Sequence, residues 1–313
     1  MFAYIVRRLA VAVPTLLILV IFSFILMYSA PGGPFNSERP LPPEVLANIE
    51  AKYGLDQPFW RQIVNYVWSV VTGFDFGPSF QYKDRTVNDI IAQGFPITLT
   101  YGFLSFVVAA SVGITLGVTG AIRQNSWIDA IAVTFSMVAQ VLPNFVMAPL
   151  LIIAFTLWPT LDGGEPWLPG GGWNGGALPN LVMPVIALST SYMASITRIT
   201  RASMIEVLNS NFIRTARAKG LPDRRIIVRH ALKPAMLPVL SYLGPAFVGM
   251  ITGSVLIDVF FSTGGIGQFF VNSAFNRDYA VIMGITILVG ALTIIFNLVV
   301  DLLYAWIDPK IRY

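Results

Sequence analysis

Six long apolar stretches separated by polar segments run along the chain and predict six membrane-spanning helices. The predicted spans cover about residues 9–30, 98–121, 128–158, 179–196, 235–259 and 280–306. An α-helix needs about 20 apolar residues to cross a hydrocarbon core of about 30 Å. The pattern therefore predicts an all-α membrane protein with six transmembrane helices.

The first apolar stretch follows Arg7 and Arg8, and a secretory signal peptide is the alternative interpretation. The apolar core of a signal peptide has only about 7–15 residues and ends at a small-residue cleavage site. The stretch here is longer, and a Pro-Gly-Gly-Pro sequence follows it. We therefore expect an uncleaved first span.

The segment from residue 31 to about residue 96 is the largest polar region and contains short helical patterns. Glu44–Tyr53 ahead of Gly54 predicts one short helix, and Val87–Gln93 predicts another. Between them, apolar residues at helical spacing predict an amphipathic helix: Phe59, Trp60, Ile63, Val64, Val67, Trp68 and Val71. Its apolar face could lie on the membrane surface, but we expect it to pack against the core.

Pairs of glycines four residues apart occur in two predicted spans. They are Gly113 with Gly117 in the second span and Gly249 with Gly253 in the fifth. This small-residue spacing lets two helices approach closely. We expect close helix contacts at both pairs.

The third predicted span contains Pro143 and Pro149. Prolines break backbone hydrogen bonds and are tolerated in a membrane where neighbouring helices or a water-lined cavity compensate. Because Gln140 and Asn144 flank Pro143, we predict that Gln140, Pro143 and Asn144 line a translocation path. A bend needed only for packing is the alternative.

One long polar run, residues 198–233, follows the fourth span. It contains only two acids, Glu206 and Asp223, beside many cations. The cations are Arg198, Arg201, Arg214, Arg217, Lys219, Arg224, Arg225, Arg229 and Lys233. A basic loop between spans predicts a cytoplasmic surface.

Turn-forming residues divide this loop into separate helices. Asn209–Asn211 predicts a helix break with an N-cap, and Phe212–Lys219 predicts about two helical turns. Gly220 is the residue type that ends helices in the left-handed conformation. Pro222 and Asp223 then predict the start of a helix that continues into the fifth span.

Composition restricts the chemistry available to the chain. Of its 313 residues, 55% are hydrophobic and 12% are charged, whereas soluble domains typically have about 25% charged residues. Cysteine is absent, which excludes disulfides, thiolate metal sites and a cysteine nucleophile. With His230 as the one histidine, a zinc site built from several histidines is also excluded.

The positive charges predict the orientation of the spans. Six spans place Arg7, Arg8, Arg123, the loop cations, Lys310 and Arg312 on one side. By the positive-inside rule that side is cytoplasmic, so we expect both termini in the cytoplasm. Residues 159–178 contain no lysine or arginine and are expected outside.

Three interpretations of the basic loop compete. Its charges could only fix orientation and contact anionic membrane lipid, but this does not explain the break at Gly220. We do not expect a nucleic-acid site, because the loop is tied to the membrane at both ends. Docking to a cytoplasmic protein explains the short helix best, with Phe212 and Ile213 as apolar anchors beside the small Ala216 and Ala218.

The run from Asn211 to Leu221 resembles the cytoplasmic coupling loop of binding-protein-dependent ABC importer permeases, in the form found in dipeptide and oligopeptide systems. The general pattern is Glu-Ala-Ala, three further residues and then a glycine. At the corresponding positions this chain has Arg214-Thr215-Ala216, three residues and Gly220. That departure is itself typical of the peptide subgroup, although it removes any role of the glutamate. The resemblance covers nearly the whole chain.

Several further motifs resemble the first permease subunit of these systems, closest to the B-type subunit of oligopeptide systems. They are Ala30–Pro34, Leu41–Val45, Tyr53–Pro58, Asp75–Ser79, Leu168–Gly176 and Ile307–Tyr313. The resemblance implies a type I ABC importer permease fold in a bacterial cytoplasmic membrane. Its expected parts are residues 1–30 (first span), 31–96 (extracytoplasmic segment) and 97–313 (five-helix core with the loop 198–233).

The resemblance also implies partners and their docking site. A second homologous permease subunit, two cytoplasmic ATPase subunits, an extracytoplasmic peptide-binding protein and a peptide substrate are expected. ATP and Mg would bind the ATPases, since this chain has no phosphate-binding loop sequence and no cofactor is expected in it. The ATPase-docking residues would be Phe212, Ile213, Arg214, Thr215, Ala216, Arg217, Ala218, Lys219 and Gly220.

Alternatives remain at the level of substrate and of class. The substrate could be a dipeptide, nickel or another small solute, and the chain could be a standalone channel or an assembly factor. An intramembrane protease would need paired acids within the spans. We expect Asp301, near the end of the sixth span, to lack such a partner.

Overall fold

The computed structural model describes residues 2–29, 51, 54–161 and 163–307. The short helix expected at Glu44–Tyr53 lies outside the described residues apart from residue 51. The helices are α1 Phe2–Tyr28, α2 Phe59–Gly73, α3 Val87–Ile122, α4 Trp127–Val141, α5 Asn144–Thr160, α6 Leu178–Leu208, α7 Asn211–Ala218, α8 Asp223–Phe260, α9 Ile266–Asn276 and α10 Tyr279–Ile307. Five of them are long and apolar enough to span a membrane: α1, α3, α6, α8 and α10.

Helix α3 includes both the short helix predicted at Val87–Gln93 and the second predicted span. It is one continuous helix of 36 residues with Pro96 inside it, so the expectation of a separate short helix at Val87–Gln93 is wrong. The Asp89 carboxylate accepts the Thr86 amide at 2.9 Å, and the Thr86 hydroxyl accepts the Asp89 amide at 3.1 Å. This reciprocal cap starts the helix well before its apolar part.

The expected third span is broken into α4 and α5. The two helices meet at an angle of 100°, with Leu142 and Pro143 in extended conformations between them. Proline disfavours the helical conformation of the residue before it and has no N–H to donate. Counting the bent pair as one span gives up to six spans.

Helix α6 continues to Leu208, so the first part of the predicted polar loop is helical. Helix α8 begins at Asp223, as expected, and includes a π-helical segment at Ile226–Ala231. Helix α9 lies between the fifth and sixth predicted spans, where no helix was predicted.

The described residues form two compact units. One comprises those of Met1–Thr98 and Gly264–Leu298, and the other those of Leu99–Thr263 and Val299–Ile311. The division of the sequence into 1–30, 31–96 and 97–313 stays a prediction.

The first unit has an apolar core made by α1, α2, α3, α9 and α10. Its buried members include Val20, Val70, Val87, Ile90, Ile266, Val281 and Ile285. The buried carboxylate of Asp278 accepts hydrogen bonds from the Ser79 hydroxyl at 2.5 Å and from the Phe80 and Gln81 amides at 3.2 Å. The end of the Asp75–Ser79 motif is therefore tied to the start of α10.

The apolar face of α2 departs from the sequence expectation. Phe59 and Tyr66 contact aromatic rings of α1, but Trp60, Val64 and Trp68 are exposed. The expectation that this face packs into the core is thus wrong for four of its seven residues, Trp60, Val64, Trp68 and Val71.

In the second unit, glycines allow close helix packing, as predicted. A Cβ on Gly113 would approach Ile196 to 2.9 Å, and one on Gly117 would approach Thr200 to 2.5 Å, so α3 packs directly on α6. Gly249 of α8 packs against the Tyr192 hydroxyl, at 2.5 Å from an added Cβ. An added Cβ on Gly253 would lie 3.8 Å from the same hydroxyl, which is an ordinary contact, so the prediction of close packing is wrong at Gly253.

Candidate coupling site

Helix α7 matches the predicted docking helix to within one residue at each end. After it, Gly220 has φ +73°, its amide donates to the Arg217 carbonyl at 2.9 Å, and the Leu221 amide donates to the Ala216 carbonyl at 3.3 Å. These two bonds form the Schellman cap, which needs a left-handed residue at this position. An added Cβ on Gly220 would meet nothing within 4 Å, so the constraint on this residue is backbone conformation and not space.

The start of α7 is the expected break in the chain. Ser210 is extended and occupies the N-cap position, but its side chain does not cap α7. The Ser210 hydroxyl instead donates to the Val207 carbonyl of α6 at 2.6 Å. The turn is thereby tied to the end of α6.

An apolar cluster fixes α7 to three other helices. Ile213 is fully buried, and Ala216 is 8% exposed. They share the cluster with Ala121 at the end of α3, Met204 of α6, and Ile226, Ala231 and Ala235 of α8. Since packed interiors transmit displacement, a force on α7 would reach these helices.

The remaining predicted docking residues lie on the opposite, exposed side of α7. Phe212 is 51% exposed, so of the two predicted apolar anchors only Phe212 is available to a partner protein. The other exposed members are Arg214, Thr215, Arg217, Ala218, Lys219 and Gly220. Within the described part of the chain, the cations of α7 form no salt bridge. The result is a cationic surface with one aromatic side chain.

An ion pair next to this cluster was not predicted from the sequence. Arg201 of α6 donates to Asp129 of α4 through Nε to Oδ1 at 2.5 Å and through Nη2 to Oδ2 at 2.7 Å. Asp129 is 4% exposed and also accepts the Asn125 amide at 2.9 Å. The sequence contained one sign of this pair: Asp129 is a lone carboxylate at the start of an apolar span, and ionisable residues within spans usually have a partner.

A second buried acid, Asp258, lies near the end of α8. Its carboxylate accepts hydrogen bonds from the hydroxyls of Tyr101 and Thr263. The expectation that Asp301 has no matching acid within the other spans is therefore wrong, since Asp129 and Asp258 both lie in predicted spans. Both have polar partners within the chain, and the side chain of Asp301 lies outside the described residues.

The three predicted path-lining residues have different surroundings. Pro143 is exposed at the break between α4 and α5. Gln140 lines a cavity of about 250 Å³ with Ser136, Arg198 and Arg201. The side-chain Oδ1 of Asn144 accepts a hydrogen bond from the Ser191 hydroxyl of α6 at 2.5 Å. Their role in a path stays a prediction.

Metal-binding residues do not cluster in the described ranges. No group of three or more histidine, cysteine, aspartate or glutamate side chains that could hold a metal is found there. His230 is exposed in the π-helical segment of α8.

Two family models cover nearly the whole chain. The model for the "binding-protein-dependent transport system inner membrane component" matches residues 113–313, and its N-terminal companion matches residues 1–102. The chain belongs to this permease family. The expected family is thus confirmed, and the chain is an inner-membrane component of a binding-protein-dependent transport system.

Relatives of this permease match it end to end. It is 58% identical over 313 residues to the oligopeptide transport system permease protein OppB of Salmonella typhimurium, with 100% of each chain covered. It is 57% identical to OppB of Escherichia coli K12 over the same length. The dipeptide transport system permease protein DppB of Bacillus subtilis is 39% identical over 309 residues, covering 99% of this chain and 97% of DppB.

Solved structures confirm the expected ABC importer permease fold. A chain of the MetNI methionine ABC transporter in inward-facing form has a TM-score of 0.55 at 16% identity, covering 71% of this chain and 97% of that one. A chain of an amino acid ABC transporter gives 0.56 at 16% identity, covering 70% and 94%.

Proposed function

We propose that this permease carries oligopeptides across the cytoplasmic membrane as half of the pathway of an ATP-driven importer. A second homologous permease forms the other half, and two cytoplasmic ATPase subunits supply the energy. An extracytoplasmic binding protein delivers the peptide. The chain itself catalyses no reaction, and both of its termini are cytoplasmic.

The observation that carries this proposal is the two-sided construction of α7. Its inner side is fixed by Ile213 and Ala216 to three other helices, and its outer side presents Phe212 among exposed cations. A helix of this kind can dock in a cleft of an ATPase and pass its movement to the spans. We infer rigid-body rocking of the helices around the path, driven by ATPase closure.

The oligopeptide substrate is supported by the relatives. The OppB proteins named for oligopeptide transport are 57–58% identical to this chain, whereas the DppB protein named for dipeptide transport is 39% identical. A dipeptide permease is therefore the second candidate. Uptake of labelled dipeptides and of tetra- or pentapeptides by cells lacking the gene separates the two.

Substitution of Gly220 tests the coupling function. Gly220→Val places a β-branched residue at φ +73°, where the left-handed conformation costs about 1–2 kcal/mol. We expect the chain to insert normally while peptide-stimulated ATP hydrolysis and uptake fall. Gly220→Asn is the matched control, because asparagine tolerates this conformation, and it should retain both activities.

Two results would overturn the coupling assignment. One is normal peptide uptake by Gly220→Val, which would show that the cap of α7 is not needed. The other is equal loss in Gly220→Val and Gly220→Asn, which would implicate the missing glycine itself and not the conformation of the cap.

A further inference from the structure

Helix α2 has an apolar stripe that the described chain leaves uncovered. Trp60, Val64, Trp68 and Val71 are 65%, 57%, 70% and 62% exposed. Residues three and four apart lie on one face of a helix, so the four side chains form one continuous surface. Two tryptophans at this exposure require a covering environment.

The neighbouring side of α2 is packed against the C-terminal part of α1. The Phe59 ring lies 4.7 Å from the Tyr28 ring and 6.0 Å from the Phe24 ring, and the Tyr66 ring lies 5.7 Å from Phe24. As α2 advances from Phe59 to Tyr66, its contacts thus move from Tyr28 back to Phe24. Over these seven residues α2 advances about 10 Å, while its contact on α1 moves back by no more than about one helical turn. Helix α2 therefore crosses the end of the span obliquely and does not run along it.

These contacts set the depth of α2. Tyr28 is the last residue of the apolar span Ala10–Tyr28, and Phe24 lies four residues earlier, about 6 Å along the helix axis. The end of a span lies where hydrocarbon meets lipid headgroups. Helix α2 therefore lies at that level.

Gln62 is buried on the packed side, and four other polar residues of α2 occupy a third sector, beside the exposed stripe. They are Arg61, Asn65, Ser69 and Thr72, and Arg61 is the one charged residue of the helix. A helix with a polar sector for water and a tryptophan-containing sector for lipid suits the membrane interface.

We propose that α2 lies in the membrane–water interface, with Trp60, Val64, Trp68 and Val71 inserted among the phospholipid acyl chains. Continuity with α1 favours lipid over a protein partner. On α1, Ile18, Phe22 and Leu26 are 65%, 56% and 56% exposed within the span itself, so the helix on which α2 packs presents apolar side chains of its own at the depth of the hydrocarbon. With the proposed orientation this is the outer leaflet, and α2 fixes the height of the first span.

Spin labels test this proposal directly, because the chain has no cysteine to remove. Val64→Cys and Trp68→Cys place a nitroxide on the stripe, and Asn65→Cys and Thr72→Cys place one on the polar sector of the same helix. Leu26→Cys provides a lipid-facing reference. The full chain, with the subunits that co-purify, is placed in phospholipid nanodiscs, and collision rates with oxygen and with a water-soluble nickel chelate are measured.

Labels at positions 64 and 68 are expected to favour oxygen over the nickel chelate, as at position 26. Labels at 65 and 72 should show an oxygen-to-nickel ratio several-fold lower. Nickel access at 64 and 68 equal to that at 65 would place the stripe in water and overturn the proposal. Immobile labels at 64 and 68 that neither reagent reaches would show a protein partner on the stripe, which also overturns it.

Discussion

Two short helices of this permease, α7 and α2, expose surfaces of opposite chemical character. Helix α7 buries Ile213 beneath it and exposes cations with a single aromatic side chain, Phe212. Helix α2 exposes two tryptophans and two valines and carries a single charge, Arg61. Both helices are amphipathic and both lie next to spans, so hydrophobic periodicity alone does not separate them.

The difference between them indicates what each helix meets. A cationic surface on an apolar anchor is suited to a charged protein cleft, where movement of the helix must be passed on to the spans. An apolar aromatic stripe beside the end of a span is suited to lipid. On this account α7 must be mechanically fixed to the spans, whereas α2 need not be.

The largest effect is expected from the ion pair beneath the α7 cluster. Asp129→Ala leaves Arg201 without its carboxylate, and breaking a buried pair costs about 3–5 kcal/mol. Because the Arg201 side chain is 25% exposed, we expect a value near the lower limit. Thermal unfolding of the purified chain in lipid measures it.

The double substitution Asp129→Leu with Arg201→Met is the matched control. Replacing a buried pair by apolar side chains is often close to neutral, so the double variant should recover most of the stability. An unchanged midpoint for Asp129→Ala alone would show that the pair does not hold α4 against α6.

Adjacent residues on opposite sides of α7 should give different phenotypes. Ile213→Ala removes a fully buried side chain and should cost about 2–4 kcal/mol. Phe212→Ala changes an exposed residue and should alter stability by no more than about 0.5 kcal/mol, while peptide uptake falls. Thermal unfolding and uptake are measured for both variants, and a stability loss for Phe212→Ala as large as that for Ile213→Ala would contradict the assignment of the two sides.

The smallest effect is expected on the packed side of α2. The Tyr66 hydroxyl is buried with no hydrogen-bond partner among the described residues. Removing an unpaired buried hydroxyl is neutral or favourable, so Tyr66→Phe should leave the free energy of unfolding unchanged or raise it by about 1 kcal/mol. A clear loss of stability at neutral pH would show that the hydroxyl has a bound partner.

Alkaline pH gives a second readout for the same variant. Burial raises the pKa of Tyr66, and the nearby charge of Asp75 raises it further. The stability linked to a raised pKa is complete below the unfolded value of about 10 and is lost as pH rises above it. Tyr66→Phe should flatten the fall in stability above pH 10, which denaturant unfolding at several pH values measures.

The sequence predicted the elements whose signals are local. Gly220 identified the end of α7 because only a residue that tolerates positive φ fits that cap. The Gly113–Gly117 pair identified the close packing of α3 on α6 because such packing needs small side chains. The long apolar runs identified the spans because a helix needs about 20 apolar residues to cross the membrane. Each of these signals lies within one continuous segment of the sequence.

The features that the sequence did not predict depend on distant contacts. The Asp129–Arg201 pair joins residues 72 positions apart, and the burial of Ile213 beside the exposed Phe212 is decided by α3, α6 and α8. Likewise the exposure of Trp60 and Trp68 depends on which side of α2 packs on α1. Periodicity reports that a helix has an apolar side, but not what covers it.

Cross-linking from single cysteines tests the central claim, that α7 is the docking site of an ATPase. Ala218→Cys places a photoactivatable cross-linker on the exposed side of α7, and Trp68→Cys places the same reagent on α2 as a control. In membranes containing the whole transporter, we predict a cross-link from position 218 to an ATP-binding subunit, with a yield that changes when ATP binds, and none from position 68. A transporter that takes up peptide normally but gives no such cross-link from position 218 would contradict the account.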